Sequence, residues 1–266
     1  MVSATSHVLP ILATIAVWFI ATGLIAWAAN APRQTLPRGL VLAGLAGVGG
    51  LIAMIASVRM ASVGGVYLGF AGALAIWSWH ELAFLTGGVT GPRREASRPG
   101  IRGWERFMQA SATVIHHELA LAATVGLLAV IAWGQPNPLG AQVFALLFAL
   151  RLLAKFNLFV GVPNASTDIL PRHLAYLTSY FGANRFTPLL ALSIGGSVAL
   201  AAWLGVEAAQ AAPVAPAVGA SLLFALAALG ALEHLFFALP LRDGVLWGWA
   251  VPSRRQGTND LMRGLQ

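Results

Sequence analysis

The sequence predicts an all-α protein, a polytopic integral membrane bundle of about seven transmembrane helices. Three observations carry this. The chain is 58% hydrophobic, with a mean hydropathy of +0.77. Only 9% of its 266 residues are charged, against about 25% in soluble domains. Its apolar residues gather in runs as long as the ~20 residues that a helix needs to cross the hydrocarbon. Cysteine is absent, which excludes disulfides, thiolate metal sites and cysteine nucleophiles. Residues 1–266 read as a single transmembrane domain with a polar tail at about 242–266.

Span 1 covers about 7–29. Nothing basic precedes it and no small-residue cleavage site follows, so it is expected to be a retained span. Pro10 falls in its first turn, where the missing N–H costs little. A short loop with Pro32 and Pro37 leads to span 2, about 39–58, where Gly44, Gly47, Gly49 and Gly50 allow close helix approach. Arg59 marks a tight turn. Span 3, about 63–85, ends in Trp77-Ser-Trp79-His80-Glu81, and the two tryptophans fit an interfacial belt. The basic loop 87–103 carries Arg93, Arg94, Arg98 and Arg102. Span 4, about 104–133, opens with an amphipathic, interfacial turn. Span 5, about 141–160, carries Arg151 and Lys155, four apart and so on one face. A short interfacial helix is expected over 169–181, with Asp168 as its N-cap. Span 6 covers about 188–206, an Ala/Pro turn covers 208–216, and span 7 covers about 217–239.

Fifteen of the sixteen basic residues are arginine. With seven spans, they fall almost entirely on one side of the membrane. Arg33, Arg38, the 93–102 group, Arg172, Arg185 and the tail arginines share that side, and Arg59 lies alone on the other. The positive-inside rule then places the N-terminus in the periplasm and the C-terminus in the cytoplasm. The basic excess is a topology signal, and no nucleic-acid partner follows from it.

Ionisable residues inside spans are costly and mark functional candidates. Here they are His80-Glu81 in span 3, His116-His117-Glu118 in span 4, Arg151 and Lys155 in span 5, and Glu233-His234 in span 7. Under this topology all four groups fall in the cytoplasmic half of the bilayer. His117 and Glu118 share a face, while His116 points elsewhere. Glu and His from different helices suit iron, manganese or zinc, so His80, Glu81, His117, Glu118, Glu233 and His234 are candidate metal ligands. Histidine at this depth also suits axial ligation of haem or (bacterio)chlorophyll. His116, Arg151, Lys155, Asn157 and His173 are candidate cofactor-binding residues. Three readings stay open: a buried Glu–His and Glu–Arg/Lys network that locks the helices, a metal or tetrapyrrole site, and a proton path. No di-iron Glu-x-x-His spacing, histidine box or dinucleotide glycine motif is present. His7 reads as interfacial and His173 as a surface residue.

The segment 155–164, Lys-Phe-Asn-Leu-Phe-Val-Gly-Val-Pro-Asn, is followed by 170–181, Leu-Pro-Arg-His-Leu-Ala-Tyr-Leu-Thr-Ser-Tyr-Phe. Together they resemble the signature of the PuhE family of photosynthetic complex assembly proteins of purple phototrophic bacteria. His80-Glu81 with Phe84 and Gly91-Pro92, His117-Glu118, Arg151 and Glu233-His234 fall where that family carries the same residues. The resemblance implies a multi-pass protein of the bacterial inner (intracytoplasmic) membrane. It implies a role in assembling reaction centre and antenna, or in adjusting bacteriochlorophyll supply. Its partners would be the lipid bilayer, reaction-centre or light-harvesting subunits and pigment-synthesis enzymes. The family lends no catalytic residues. A membrane metal-dependent oxidoreductase acting on a tetrapyrrole or quinone is the alternative expectation, and whether any reaction occurs stays open.

Overall fold

The structure, a computed structural model, describes residues 5–32, 34–167, 170–240 and 246–250. Among the described residues, seven helices are long and apolar enough to cross a membrane. They are α1 (Thr5–Ala29), α2 (Leu36–Ser57), α3 (Val63–Leu85), α4 (Gly103–Ala132), α5 (Leu139–Val160), α6 (Pro188–Gln210) and α7 (Val214–Ala238). The fold is the expected all-helical membrane bundle, with no strand among the described residues.

The helices start where the sequence can satisfy or dispense with their first N–H groups. The Ser62 hydroxyl accepts from the Gly65 amide at 3.2 Å, and the Thr187 hydroxyl accepts from the Leu190 amide at 3.2 Å. Pro37 and Pro188 occupy first-turn positions of α2 and α6, where proline loses no helical bond. The same reasoning corrects the expected turn at 208–216. The helices run through most of it and leave only 211–213 as the connection. Pro216 sits inside the first turn of α7, where it is tolerated.

The expected interfacial helix is present but shorter and tighter. It is a 3₁₀ helix, Arg172–Tyr180, that starts after Pro171. The expected cap Asp168 lies outside the described residues. So does nearly all of the polar tail, of which 246–250 are described.

α3, α5 and α7 form the centre. α2 lies on α3, α6 on α7, α1 on α7 and α3, and α4 on α5 and α3. The main core brings together Met54, Phe70, Leu121, Phe144 and Leu222 from five helices. Glycine permits two of these approaches. A Cβ at Gly50 of α2 would lie 2.6 Å from the Gly72 carbonyl of α3. A Cβ at Gly140 of α5 would lie 2.7 Å from the Gly69 carbonyl. The two tryptophans expected at the interface take part in this packing. Trp79 lies on Gly44 and Gly47, and Trp77 meets Phe144 edge-on at 5.4 Å. Gly49, read with the others as a packing position, faces open space. Large apolar side chains on α2, α4 and α6, such as Leu42, Val130 and Leu192, point outward. That is where hydrocarbon surrounds a membrane bundle.

Candidate functional site

α5 organises the polar interior. Arg151 and Lys155 are one turn apart, and each reaches a different neighbouring helix. Arg151 donates to the Glu81 carboxylate of α3 at 3.1 Å. The Lys155 ammonium pairs with the Glu118 carboxylate of α4. Their side chains are 20% and 14% exposed, so this pair is largely sheltered. Lys155 also lies 5.2 Å from the centre of the Phe84 ring. Taking charges out of water is costly unless they pair well. Each of these carboxylates has its own cation, as a low-dielectric interior requires.

His117 is fully buried beside this network. Its ring lies tilted against Phe84, with centroids 4.7 Å apart, and its Nε2 is 3.7 Å from Glu81 Oε1. That separation is too long for a hydrogen bond, and neither ring nitrogen has another partner among the described residues. His80, its ring 6.5 Å from that of His117, hydrogen-bonds through Nε2 to the Thr124 hydroxyl at 3.0 Å. His116 points out of the bundle, as helical geometry demands of the residue before an inward-facing His117.

The other candidates separate. Glu233 is exposed but lines the same cavity as Glu81, Glu118, Arg151 and Lys155. His234 is fully buried but is not among the cavity-lining residues. It hydrogen-bonds through Nδ1 to the Gly230 carbonyl at 2.7 Å, and its ring meets Phe237. Asn157 is buried between helices, donating to the Ser193 hydroxyl of α6 at 2.7 Å and the Leu153 carbonyl at 3.0 Å. His173 is exposed on the 3₁₀ helix. His7 hydrogen-bonds to the Ser221 hydroxyl at 2.9 Å, joining the first halves of α1 and α7.

Among the described residues, no three His, Asp or Glu side chains are grouped so as to hold a metal ion. Of the carboxylates the sequence marks as ligands, Glu81 and Glu118 each pair with a protein cation, Arg151 and Lys155.

The network forms one wall of a cavity of about 610 Å³. α1, α3, α4, α5, α7 and the 3₁₀ helix surround it. Most of its lining is apolar, including Phe70, Leu74, Trp77, Phe84, Leu226 and Phe236. Trp247, from the segment after α7, closes part of one side. Its indole donates to the Phe19 carbonyl at 2.9 Å and packs edge-on against Trp18 at 5.1 Å.

A second feature holds α4 in place. The loop after α3 docks directly onto α4's backbone. The Arg93 amide donates to the Ala112 carbonyl at 3.0 Å, and the His117 amide donates to the Thr90 carbonyl at 3.0 Å. The approach is close enough that a Cβ on Gly91 would lie 2.7 Å from the backbone carbon of Thr113. The 3₁₀ helix supports this loop. Arg93 donates to the Tyr180 hydroxyl at 2.6 Å, which donates in turn to the Glu95 carbonyl at 3.1 Å. The same hydroxyl holds the Arg93 guanidinium above its ordinary pKa. Arg106, at the start of α4, donates to the carbonyls of Phe159 and Tyr180 at 2.9 and 2.7 Å. The sequence marks Arg93 as a topology signal and Arg106 as part of an interfacial turn, but not the groups to which they donate. Only Gly91-Pro92, small and rigid beside a span, hinted at close docking.

The family described as "Protein of unknown function (DUF3623)" matches residues 4–258. The chain belongs to this family. It is also 40% identical over 251 residues to the "Uncharacterized 30.4 kDa protein in puhA 5′region" of Rhodobacter capsulatus, covering 91% of this chain and 90% of that one. No solved structure matches.

Proposed function

We propose that this protein is an integral factor of the inner (intracytoplasmic) membrane of a phototroph. In this reading it serves the assembly of reaction centre and antenna, or adjusts bacteriochlorophyll supply, and the cavity beside Arg151 and Lys155 holds an apolar ligand for that task. The observation that carries the biological side is the relative whose name places its gene in the puhA 5′ region, beside the resemblance of 155–164 and 170–181 to photosynthetic complex assembly proteins. The chemical side rests on the cavity, whose volume of about 610 Å³ lies within the ~300–1,000 Å³ typical of ligand pockets. Apolar walls with a few convergent polar groups are the usual makeup of such pockets.

The test is deletion of the gene in its own host under phototrophic conditions. Membranes of the deletion strain are expected to contain less assembled reaction centre, or less bacteriochlorophyll, per unit of protein. Respiratory growth should be unchanged. Equal pigment spectra and equal reaction-centre content in the two strains overturn the proposal.

A further inference from the structure

We propose that one end of the bundle binds the headgroups of anionic phospholipids. This end is built from the 87–103 loop, the 3₁₀ helix and the starts of α4 and α6. The inference is independent of the cavity and of any ligand in it.

Two observations carry it. The first is a surplus of positive charge on a fixed surface. Hydrogen bonds join the loop to the 3₁₀ helix. Arg93 donates to the Tyr180 hydroxyl at 2.6 Å, that hydroxyl to the Glu95 carbonyl at 3.1 Å, and the Ser97 amide to the Ser179 hydroxyl at 2.8 Å. Arg93 and Arg106 direct their guanidinium groups into this framework. Arg94, Arg98, Arg102, Arg172 and Arg185 do not. All five are exposed, and none makes a hydrogen bond or ion pair among the described residues. The exposed acids beside them are Glu95, 3.7 Å from Arg93, and Glu105, which accepts from Gln109 at 3.2 Å. Five cations thus face outward over two carboxylates that already have partners. Each guanidinium presents a fork of N–H donors that matches a phosphate.

The second observation points to lipid as the source of the phosphate. Large aromatic side chains stand beside two of these arginines where spans begin. Trp104, 72% exposed, is the second residue of α4, and Arg102 is that helix's N-cap. Phe186, 57% exposed, follows Arg185 just before α6 starts at Pro188. Both helices are long and apolar enough to cross a membrane. Aromatic residues at the ends of spans sit at headgroup level, and the arginines beside them meet phosphates there. Attraction to anionic lipid falls off within a Debye length of the surface. Arginines at the entrances of spans lie within that distance, which favours the bilayer over a soluble acidic partner.

The full chain, in a neutral detergent, is titrated with dioleoylphosphatidylglycerol and separately with dioleoylphosphatidylcholine. Native mass spectrometry counts the lipid bound. Phosphatidylglycerol is expected to bind at least about tenfold more tightly, a difference of about 1.4 kcal/mol. The triple variant Arg94→Gln/Arg98→Gln/Arg102→Gln should reduce this preference at least about fivefold. Arg59→Gln, exposed in the turn between α2 and α3, should leave it unchanged.

Equal binding of the two lipids overturns the inference, as does a triple variant that keeps the full preference. Complete displacement of phosphatidylglycerol by inorganic phosphate would reveal a free-anion site and overturn the assignment to lipid. Displacement by a poly-glutamate peptide at lower concentration than the lipid itself needs would assign the surface to an acidic protein instead. If the triple variant does not fold, the comparison of the two lipids in the unmodified protein still decides.

Discussion

Lys155 and Glu118, 37 positions apart in sequence, form an ion pair that ties α5 to α4, one turn from the Arg151–Glu81 pair that ties α5 to α3. This spacing lets one helix face clamp two neighbours within a single turn. It also gives each of these two glutamates a protein cation inside the bundle.

Removing one partner of a buried pair leaves the other charge uncompensated, at about 3–5 kcal/mol. Lys155→Met should therefore lower the thermal midpoint of the detergent-solubilised protein well below that of Arg59→Met. Arg59 is exposed in the turn between α2 and α3. The double variant Lys155→Met/Glu118→Met should recover part of the loss, because no orphaned carboxylate remains. Equal midpoints for Lys155→Met and Arg59→Met would show that the pair is not sheltered.

The pairing of α5 with its neighbours was partly legible. Cations four apart must share a helix face, and carboxylates inside spans need partners, so the Glu–Arg/Lys network was among the open readings. Which cation takes which carboxylate depends on helix order, which sequence periodicity does not encode. His234 and Asn157 illustrate the limit. Both are polar residues inside spans, yet one hydrogen-bonds on its own helix to Gly230 and the other to Ser193 of α6. A polar residue can meet its hydrogen-bonding need locally, and nothing in its position distinguishes that from a site. The docking of the 87–93 segment was hidden for another reason. It depends on backbone groups, and backbone carbonyls look alike in every sequence.

Gly91 gives that docking a direct test. Gly91→Ala would press a methyl group onto the backbone of Ala112 and Thr113, which cannot rotate away as a side chain can. Overpacking of this kind costs about 1–3 kcal/mol. The expected result is a lowered thermal midpoint and easier proteolysis of the loop. Gly39→Ala is the control, since a Cβ there has nothing within 4 Å. If both variants melt together, the loop does not hold α4.

The arginine distribution predicts which end of the bundle faces the cytoplasm. The 3₁₀ helix, the 87–103 loop and the end of α7 should all lie there. A reporter active only in the cytoplasm, fused after residue 266, should be active. A periplasm-only reporter should be active after residue 60, in the turn that carries Arg59. The reverse pattern would invert the bundle and place the cavity's charged wall toward the periplasm.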